Sequence, residues 1–315
     1  MIVTELYNGQ GLGNQIWNLI VLRIVAEKHG YEWGTKRLNP FKGRDFLPNI
    51  NLGKEITDGL SPEGGPPYLL PSGIINYYKE PSNNYPSYMG GGDAAFVDYY
   101  FWNNLMDNTK IDGCFQKIKY IEDRKNEVVE WLQPNLKIED YSSENICVIN
   151  FRGKDYLSTN SWLPYEYYFN AIEQMLKINP RMEFVIVTDD PENAKKFIPL
   201  GDIVSSFDEI QPEISSQSSQ DKTAKDYSIM INAKYLILSA STFCFWAAFG
   251  NKQCKKIIAP KYWFDFQQSN GWWRGDDNIM DEWFYLDRNN NLLSGAECKK
   301  EYEIYKKQNI FYKDK

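Results

Sequence analysis

The sequence contains little of what several classes of protein require. Among its 315 residues there is a single histidine, His29, in the first predicted helix, so no histidine is available as a general base. No apolar run reaches the 18 residues of a membrane-spanning helix, and no signal peptide precedes the first predicted strand. The net charge is −7 and no basic stripe is present, which excludes nucleic acid as a partner.

Cysteine is also scarce. The five cysteines are odd in number and scattered along the chain, and three of them fall in apolar segments. This pattern is typical of reduced, buried thiols rather than of a disulfide framework. Together with the missing signal peptide, it predicts a cytoplasmic protein.

Aromatic residues, in contrast, are abundant. They make up 16% of the chain, with 10 tryptophans and 22 tyrosines. Aromatic faces pack against the C–H surfaces of sugars, so the composition fits a carbohydrate ligand. It fits a large aromatic core at least as well, and composition alone does not separate the two.

A buried strand followed by charged residues is the most informative segment. Residues 146–149 are apolar and predict a parallel strand, and residues 150–156 (NFRGKDY) follow directly. This order places Arg152 at the carboxyl end of the strand, where open α/β sheets bind their ligands. Its guanidinium offers donors in a fixed plane that match phosphate oxygens. An ion pair with Asp155 explains Arg152 about equally well on this evidence alone.

A second strand ends in two carboxylates. Residues 182–188 predict this strand, and Asp189 and Asp190 follow it. Asp190 is expected to cap a helix whose first residue is Pro191. Asp189 has no such local role, and a carboxylate at a strand end accepts hydrogen bonds from a base or a ribose.

A third segment consists of a strand, a hydroxyl-rich turn and a helix. Residues 235–238 predict the strand, Ser241 and Thr242 lie in the turn, and an apolar helix runs from Phe243 to Phe249 with Gly250 as its C-cap. The N-terminus of such a helix binds anions through its N–H groups and its dipole. Helix capping explains one of the two hydroxyl residues but not both. The three segments together predict a nucleotide diphosphate at the edge of a doubly wound α/β sheet.

The pattern of elements divides the chain in two. Residues 41–100 are rich in glycine, proline, asparagine and tyrosine, as loops are. From residue 146 onward, strands and helices alternate as in a doubly wound sheet, and a polar loop is expected at 213–222. The predicted domains are residues 1–140 and 141–315.

Several blocks of sequence carry a family resemblance. They are residues 9–15 (GQGLGNQ), 112–116 (DGCFQ), 150–156 (NFRGKDY), and 188–190 (TDD) with 241–246 (STFCFW). Their order and spacing resemble those of glycosyltransferase family 11, the α-1,2-fucosyltransferases, and more distantly the α-1,6- and protein O-fucosyltransferases. The corresponding family blocks are Gly-Gly-Leu-Gly-Asn-Gln, Gly-Tyr-Phe-Gln, His-x-Arg-x-x-Asp-Tyr, and Ser-Asp-Asp with Ser-Thr-Phe-Ser-Trp-Trp.

The resemblance implies a fold and a reaction. The expected fold is of the GT-B type, with two Rossmann-like domains and the active site in the cleft between them. Residues 1–140 are expected to form the acceptor-side domain and residues 141–315 the domain that binds the nucleotide sugar, with a last helix that packs back across the cleft. The expected reaction is inverting transfer of L-fucose from GDP-β-L-fucose to a sugar hydroxyl, most simply a galactose 2-OH of a glycan. No cofactor or metal is implied. The missing membrane anchor points to a bacterial or viral enzyme, and peripheral membrane contact stays open for a lipid-linked acceptor.

The resemblance also assigns roles to residues. Arg152, Asn14 and Asp155 are the catalytic candidates, although Asp155 also fits a structural role and Asn14 also fits a helix N-cap. Trp272 and Trp273 are weak candidates for acceptor binding, since a surface turn explains them at least as well. The implied donor-binding residues are Gly11, Leu12, Gly13, Asn150, Arg152, Asp189, Asp226, Ser241, Thr242 and Phe243.

One position departs from the family pattern. Asn150 stands where the family has a histidine close to the donor nucleotide. Asparagine donates and accepts hydrogen bonds but carries no proton near neutral pH. Two alternatives therefore remain open, namely a relative that uses another nucleotide sugar, and a module that binds a nucleotide or carbohydrate without turnover.

Overall fold

The structure is a computed structural model that describes most of the chain. The described residues are 1–7, 9–37, 41–59, 69–81, 97–136, 141–158, 161–198, 202–206, 216–263, 266–267 and 278–308. For residues 155, 158, 202–206 and 216–221 only the backbone is described.

The chain divides into two compact units, Met1–Gln133 and Pro134–Lys315. The boundary expected from the sequence, between residues 140 and 141, adjoins the segment 137–140, which lies outside the described residues. Each unit contains its own sheet. The two Rossmann-like α/β domains expected of a GT-B protein are confirmed, and the cleft between them stays a prediction.

Unit 1 is built on a five-stranded parallel sheet with the order β3-β2-β1-β5-β4. Its elements are β1 (Ile2–Glu5), α1 (Leu12–Lys28), β2 (Trp33–Lys36), β3 (Lys54–Ile56), β4 (Asn76–Lys79), α2 (Tyr99–Asn104), β5 (Thr109–Asp112) and α3 (Lys125–Trp131). The apolar residues of α1 cover most of its circumference, and most of its side chains are buried, as its composition predicts.

Unit 2 is built on a seven-stranded sheet with the order β12-β11-β10-β9-β6-β7-β8, in which β12 alone is antiparallel to its neighbour. Its strands are β6 (Ile146–Phe151), β7 (Glu183–Thr188), β8 (Asp202–Ser206), β9 (Tyr235–Ile237), β10 (Lys256–Pro260), β11 (Phe284–Leu286) and β12 (Leu292–Ser294). Its helices are α4 (Tyr165–Leu176), α5 (Pro191–Phe197), α6 (Ser216–Ile231), α7 (Thr242–Gly250) and α8 (Gly295–Gln308).

The core of unit 2 lies between the central strands and α4. Phe151 at the end of β6 contacts Tyr168 of α4 with ring centroids 5.4 Å apart, and the buried Tyr167 of α4 donates a hydrogen bond to the carbonyl of Leu238 at 2.7 Å. This packing fixes the carboxyl ends of β6 and β9 relative to each other.

The strand order of unit 2 locates its ligand crevice. From β6 the chain adds β7 and then β8 on one side, and then returns across β6 to add β9 on the other side. The order therefore reverses between β6 and β9. Open α/β sheets bind ligands beyond the carboxyl ends of the strands at such a switch point.

One local expectation from the sequence is wrong, and one alternative is excluded. The polar loop expected at 213–222 is replaced from Ser216 onward by α6. The first helix begins at Leu12 with Gly11 as its N-cap, so Asn14 lies within the first turn and the alternative role of Asn14 as a helix N-cap is excluded. Serine and asparagine favour caps and turns locally, but packing against the sheets overrides that preference.

Candidate functional site

Arg152 is paired with Asp189 across two neighbouring strands. Arg152 follows β6 directly and Asp189 follows β7, and the last residues of these strands, Phe151 and Thr188, are partners in register. Arg152 Nη1 lies 2.5 Å from Asp189 Oδ2, and the backbone N–H of Gly153 donates to Asp189 Oδ1 at 2.9 Å. The Asp189 side chain is buried, whereas 36% of the Arg152 side chain is exposed. The pair therefore holds the guanidinium at the sheet edge, and the exposed part of the Arg152 side chain is accessible to a ligand.

Asp190 caps α5, as the sequence predicts. Its carboxylate accepts hydrogen bonds from the backbone and the side-chain amide of Asn193 at 3.2 and 2.8 Å, and from the backbone N–H of Lys154 at 3.1 Å. Burial opposes ionisation, but these hydrogen bonds prevail and hold the pKa of Asp190 below its usual value. A Cβ at Gly153 would collide with the Asp190 side chain, so this turn requires glycine.

Asn150 is buried at the switch point. Its side-chain oxygen accepts a hydrogen bond from the hydroxyl of Ser239 at 2.5 Å, and its amide donates to the carbonyl of Val187 at 3.4 Å. Ser239 lies just after β9, so the hydrogen bond joins the end of β6 to the turn that leads into α7. Asn150 is expected to bind the donor, and both the oxygen and the nitrogen of its side-chain amide hydrogen-bond to other residues of the protein.

The N-terminus of α7 begins at the same edge. Ser241 is its N-cap, and its hydroxyl accepts a hydrogen bond from the backbone N–H of Phe243 at 3.3 Å. Thr242 is the first helical residue and is partly exposed, as is Phe243. The Phe243 ring lies 6.0 Å from the ring of Tyr227 in α6, so α6 packs against the start of α7. The helix dipole and the first N–H groups of α7 favour an anion here.

Asp226 is a buried carboxyl group in α6. The residue is 6% exposed, and its Oδ1 atom has no hydrogen-bond partner among the described residues. Burial raises the pKa of Asp226 to about 8. Lys225 and Lys222 oppose this shift, and the charge of Asp189 adds to it. Asp226 lies well inside α6 rather than at its N-terminus.

The glycine-rich segment lies in unit 1. Gly11 caps α1 without a side chain, Leu12 and Gly13 are buried in its first turn, and Asn14 is half-buried. The side-chain amide of Gln116 donates to Asn14 Oδ1 at 3.1 Å. Two separate blocks of the family resemblance therefore meet in the structure, although their residues are about a hundred positions apart.

Glu80 is a site residue that the sequence did not reveal. It follows β4 and is buried, and its Oε2 accepts the backbone N–H groups of Cys114 and Phe115 at 2.7 and 2.8 Å. These bonds fix the segment that presents Gln116, in which Phe115 has a left-handed backbone with φ 50°. The loop-like composition around residue 80 gave no signal of this role.

The structure thus brings together most of the residues expected to bind the donor. The residues at the carboxyl edge of unit 2 are Asn150, Arg152, Asp189, Asp226, Ser241, Thr242 and Phe243. The turn from Gly11 to Asn14 belongs to unit 1. Trp272 and Trp273 lie outside the described residues, as does the side chain of Asp155.

No group of three or more histidine, cysteine, aspartate or glutamate side chains in the described ranges is placed to hold a metal ion. No described helix is both long and apolar enough to cross a membrane.

Comparison with known families decides what this arrangement is. The family model for glycosyl transferase family 11 matches residues 100–287, more than half of the chain. The chain belongs to glycosyl transferase family 11. The matched range includes every donor-binding candidate of unit 2, and the family resemblance expected from the sequence is confirmed.

Individual relatives of this family 11 chain are distant. An α-1,2-colitosyltransferase of Escherichia coli is 25% identical over 199 residues, which are 59% of this chain and 65% of the relative. The match therefore spans slightly less than two thirds of that protein.

Solved structures are more distant still. The fucosyltransferase NodZ from Bradyrhizobium is 12% identical with a TM-score of 0.43, covering 93% of this chain and 98% of that one. The E. coli heptosyltransferase WaaC with ADP is 10% identical with a TM-score of 0.40, covering 98% of both chains. Likeness at this level supports no inference about ligands or activity.

Proposed function

We propose that this protein is an inverting, metal-independent glycosyltransferase that moves L-fucose from GDP-β-L-fucose to a sugar hydroxyl of a glycan, a galactose 2-OH. Family membership supports the reaction class. The observation that carries the proposal is the Arg152–Asp189 pair at the switch point of unit 2, beside the N-terminus of α7.

The diphosphate belongs between Arg152 and α7. Arg152 is held by Asp189 on one side and is exposed over about a third of its side chain. The first turn of α7 contributes N–H groups and the positive end of its dipole. Negative charge develops on the diphosphate as the bond to the sugar breaks, and fixed donors there lower the barrier. Such a site needs no metal ion, because the arginine and the helix supply the positive potential.

The base specificity belongs to Asp226. Its Oδ1 is buried without a partner, and a base that offers two adjacent N–H groups would satisfy this carboxyl group. Guanine presents such a pair at N1 and N2, whereas uracil and thymine present a single ring N–H. The preference for a guanosine donor follows from this difference.

The transfer step requires little from a general base. No histidine is available, and the sugar forms an oxocarbenium-like transition state once the diphosphate begins to leave. The turn from Gly11 to Asn14 is proposed to face the fucose, where the Asn14 amide orients a hydroxyl group.

Nucleotide binding measured by calorimetry tests the proposal. GDP, UDP, dTDP and CMP are titrated into the protein with and without Mg²⁺. Selective binding of GDP, independent of Mg²⁺ and weakened at least about 100-fold in Arg152→Ala, is expected. Arg181→Ala is the matched control, since Arg181 is exposed and lies at the opposite end of β7.

Other outcomes would favour the alternatives. Preference for UDP or dTDP would contradict the fucose assignment and leave the fold unaffected. Absence of all binding would indicate a module without turnover. The name of the E. coli relative favours a colitosyl donor as the second candidate, and transfer assays with both sugars would separate the two.

A further inference from the structure

A second group of polar side chains lies at the carboxyl edge of the sheet in unit 1. Tyr7 follows β1 by two residues, Arg37 follows β2 directly, and Asp112 ends β5. These three strands are parallel and adjacent, with β1 between the other two, so their carboxyl ends meet at one edge. None of these residues has a role in donor binding in unit 2.

Arg37 is fixed in place through its Nε atom. That atom donates to Glu5 Oε1 at 3.0 Å, and the other carboxylate oxygen of Glu5 lies 3.2 Å from Lys36 Nζ and 2.6 Å from Lys110 Nζ. The side chains of Glu5 and both lysines are fully buried. Arg37 has a left-handed backbone with φ 56° and a side chain that is 19% exposed. Its two terminal amino groups, Nη1 and Nη2, have no partner among the described residues.

Tyr7 has a buried hydroxyl group and lies at the same edge of the sheet as Arg37. Its oxygen has no hydrogen-bond partner in the described part of the chain. Burial raises the pKa of Tyr7 strongly, the charges of Asp112 and Glu5 add to this, and the charge of Arg37 opposes it. Tyr7 follows β1 at the edge where Arg37 follows β2 and Asp112 ends β5. Asp112 Oδ2 accepts a hydrogen bond from the Tyr77 hydroxyl at 2.7 Å. Among the described residues, no other side chain donates to the Asp112 carboxylate.

Three cations contact a single carboxylate in this group. Lys36, Lys110 and Arg37 each lie within 3.2 Å of Glu5, and the side chains of both lysines are fully buried. These cations would attract an anion bound at Arg37.

We propose that Tyr7, Arg37 and Asp112 form a binding site for the acceptor sugar, and that this sugar carries an oxyanion, either a carboxylate or a phosphate. The two terminal amino groups of Arg37 pair with two oxygens of the anion, the geometry that a guanidinium favours. The Tyr7 hydroxyl donates to the same anion. Asp112 accepts a hydrogen bond from a sugar hydroxyl. The assignment of these residues to the acceptor sugar rests on the proposed function.

Titration of simple sugars tests the site. D-galacturonate, D-galactose 6-phosphate and neutral D-galactose are titrated into the full chain, and into Arg152→Ala to exclude binding at the diphosphate site. At least one anionic sugar is expected to bind about 10-fold more tightly than galactose in both proteins. The preferred anion identifies the carboxylate or the phosphate as the natural group. Equal affinity for all three sugars, or loss of the preference in Arg152→Ala, would overturn the proposal.

Tyr7→Phe is the most direct variant, because the Tyr7 hydroxyl makes no hydrogen bond that folding would lose. Its thermal stability is expected to equal that of the parent protein, while affinity for the anionic sugar falls about 10-fold. Arg37→Lys keeps the charge and removes the paired donors, and is expected to weaken the same sugar similarly. Tyr99→Phe is the matched control, since Tyr99 is exposed in α2 of the same unit. Unchanged affinity in both site variants would refute the assignment.

Failure of this site and failure of the proposed function give different results. If GDP binds through Arg152 but no sugar shows an anionic preference, the acceptor site is wrong and the donor site stands. If the sugars discriminate and no nucleotide binds, the site is a sugar-binding site without the proposed transfer.

Discussion

The protonation and hydrogen bonding of several single residues in this protein depend on burial, which the sequence alone does not reveal. Asp226 was a donor-binding candidate by resemblance, but its carboxyl group is buried without a partner at Oδ1, a fact that depends on how α6 packs. Asn150 is expected beside the nucleotide, and the structure shows in addition a buried hydrogen bond from Ser239 to its side-chain oxygen. Arg152, in contrast, lies at the strand end as predicted, because an apolar run followed by an arginine specifies that position locally.

Asp226 makes the unligated protein less stable as the pH rises. An aspartate in the unfolded chain ionises near pH 4, whereas burial raises the pKa of Asp226 to about 8 in the folded protein. Between these values the folded state holds a proton that the unfolded state lacks. The contribution to the free energy of unfolding therefore falls with increasing pH, by about 1.4 kcal/mol per pH unit, and is constant above about pH 8. Urea denaturation at several pH values, compared with Asp226→Asn, measures this difference.

The same proton should leave when a guanine base binds. The ionised carboxylate is the form that accepts two N–H groups, so GDP affinity is expected to increase with pH up to about 8 and to be nearly independent of pH in Asp226→Asn. Calorimetry in buffers of different ionisation enthalpy would detect the released proton. GDP affinity in the parent protein that does not change with pH would argue against Asp226 as the base contact.

At the scale of elements, the alternating strands and helices of unit 2 were readable from periodicity. The start of α6 was not, because its serine residues favour caps and turns when neighbours are ignored. The salt-bridged group around Glu5 could not be anticipated either, since its lysines lie 31 and 105 positions away along the chain. Contacts of this range depend on strand order, which propensity does not encode.

The hydrogen bond between Ser239 and Asn150 is expected to hold two elements in register. It joins the end of β6 to the turn between β9 and α7. Ser239→Ala would leave Asn150 Oδ1 buried without its donor, so we expect a loss of about 1–3 kcal/mol in the free energy of unfolding. GDP affinity should fall as well, because Ser241 is placed by the same turn.

Ser228→Ala is the control for this change. Ser228 is equally buried, in α6, but its hydroxyl has no partner among the described residues. Removing that hydroxyl should leave the free energy of unfolding unchanged or slightly increased. Equal effects of the two substitutions on stability would show that the Ser239 hydrogen bond contributes nothing.

At the scale of the whole molecule, the candidate residues are distributed over the two sheets. Most donor candidates lie at one edge of the unit 2 sheet, whereas the turn from Gly11 to Gly13 and the group around Arg37 belong to unit 1. The two α/β domains were predicted from the family resemblance and from the alternation of strands and helices after residue 146, and the resemblance placed the acceptor on the first domain. It did not single out Tyr7, Arg37 or Asp112, because they are single residues on separate strands and form no continuous motif.

The buried thiol of Cys244 can report how often the turn between β9 and α7 opens. Its sulfur donates to the carbonyls of Ser239 and Ser241 at 3.3 and 3.1 Å, and burial raises its pKa to about 11. Alkylation of Cys244 by iodoacetamide therefore requires the turn to open, and its rate reports the free energy of that opening. Cys114, half-buried in unit 1, should react without it.

Saturating GDP is expected to slow alkylation of Cys244 in proportion to ligand concentration over Kd, and to leave Cys114 unaffected. Mass spectrometry of the two peptides after timed labelling provides both rates in one sample. A Cys244 rate that GDP does not change would place the nucleotide elsewhere. If GDP does slow the reaction, the alkylation rate of Cys244 in the presence of different nucleotide sugars would rank their affinities without any assay of sugar transfer.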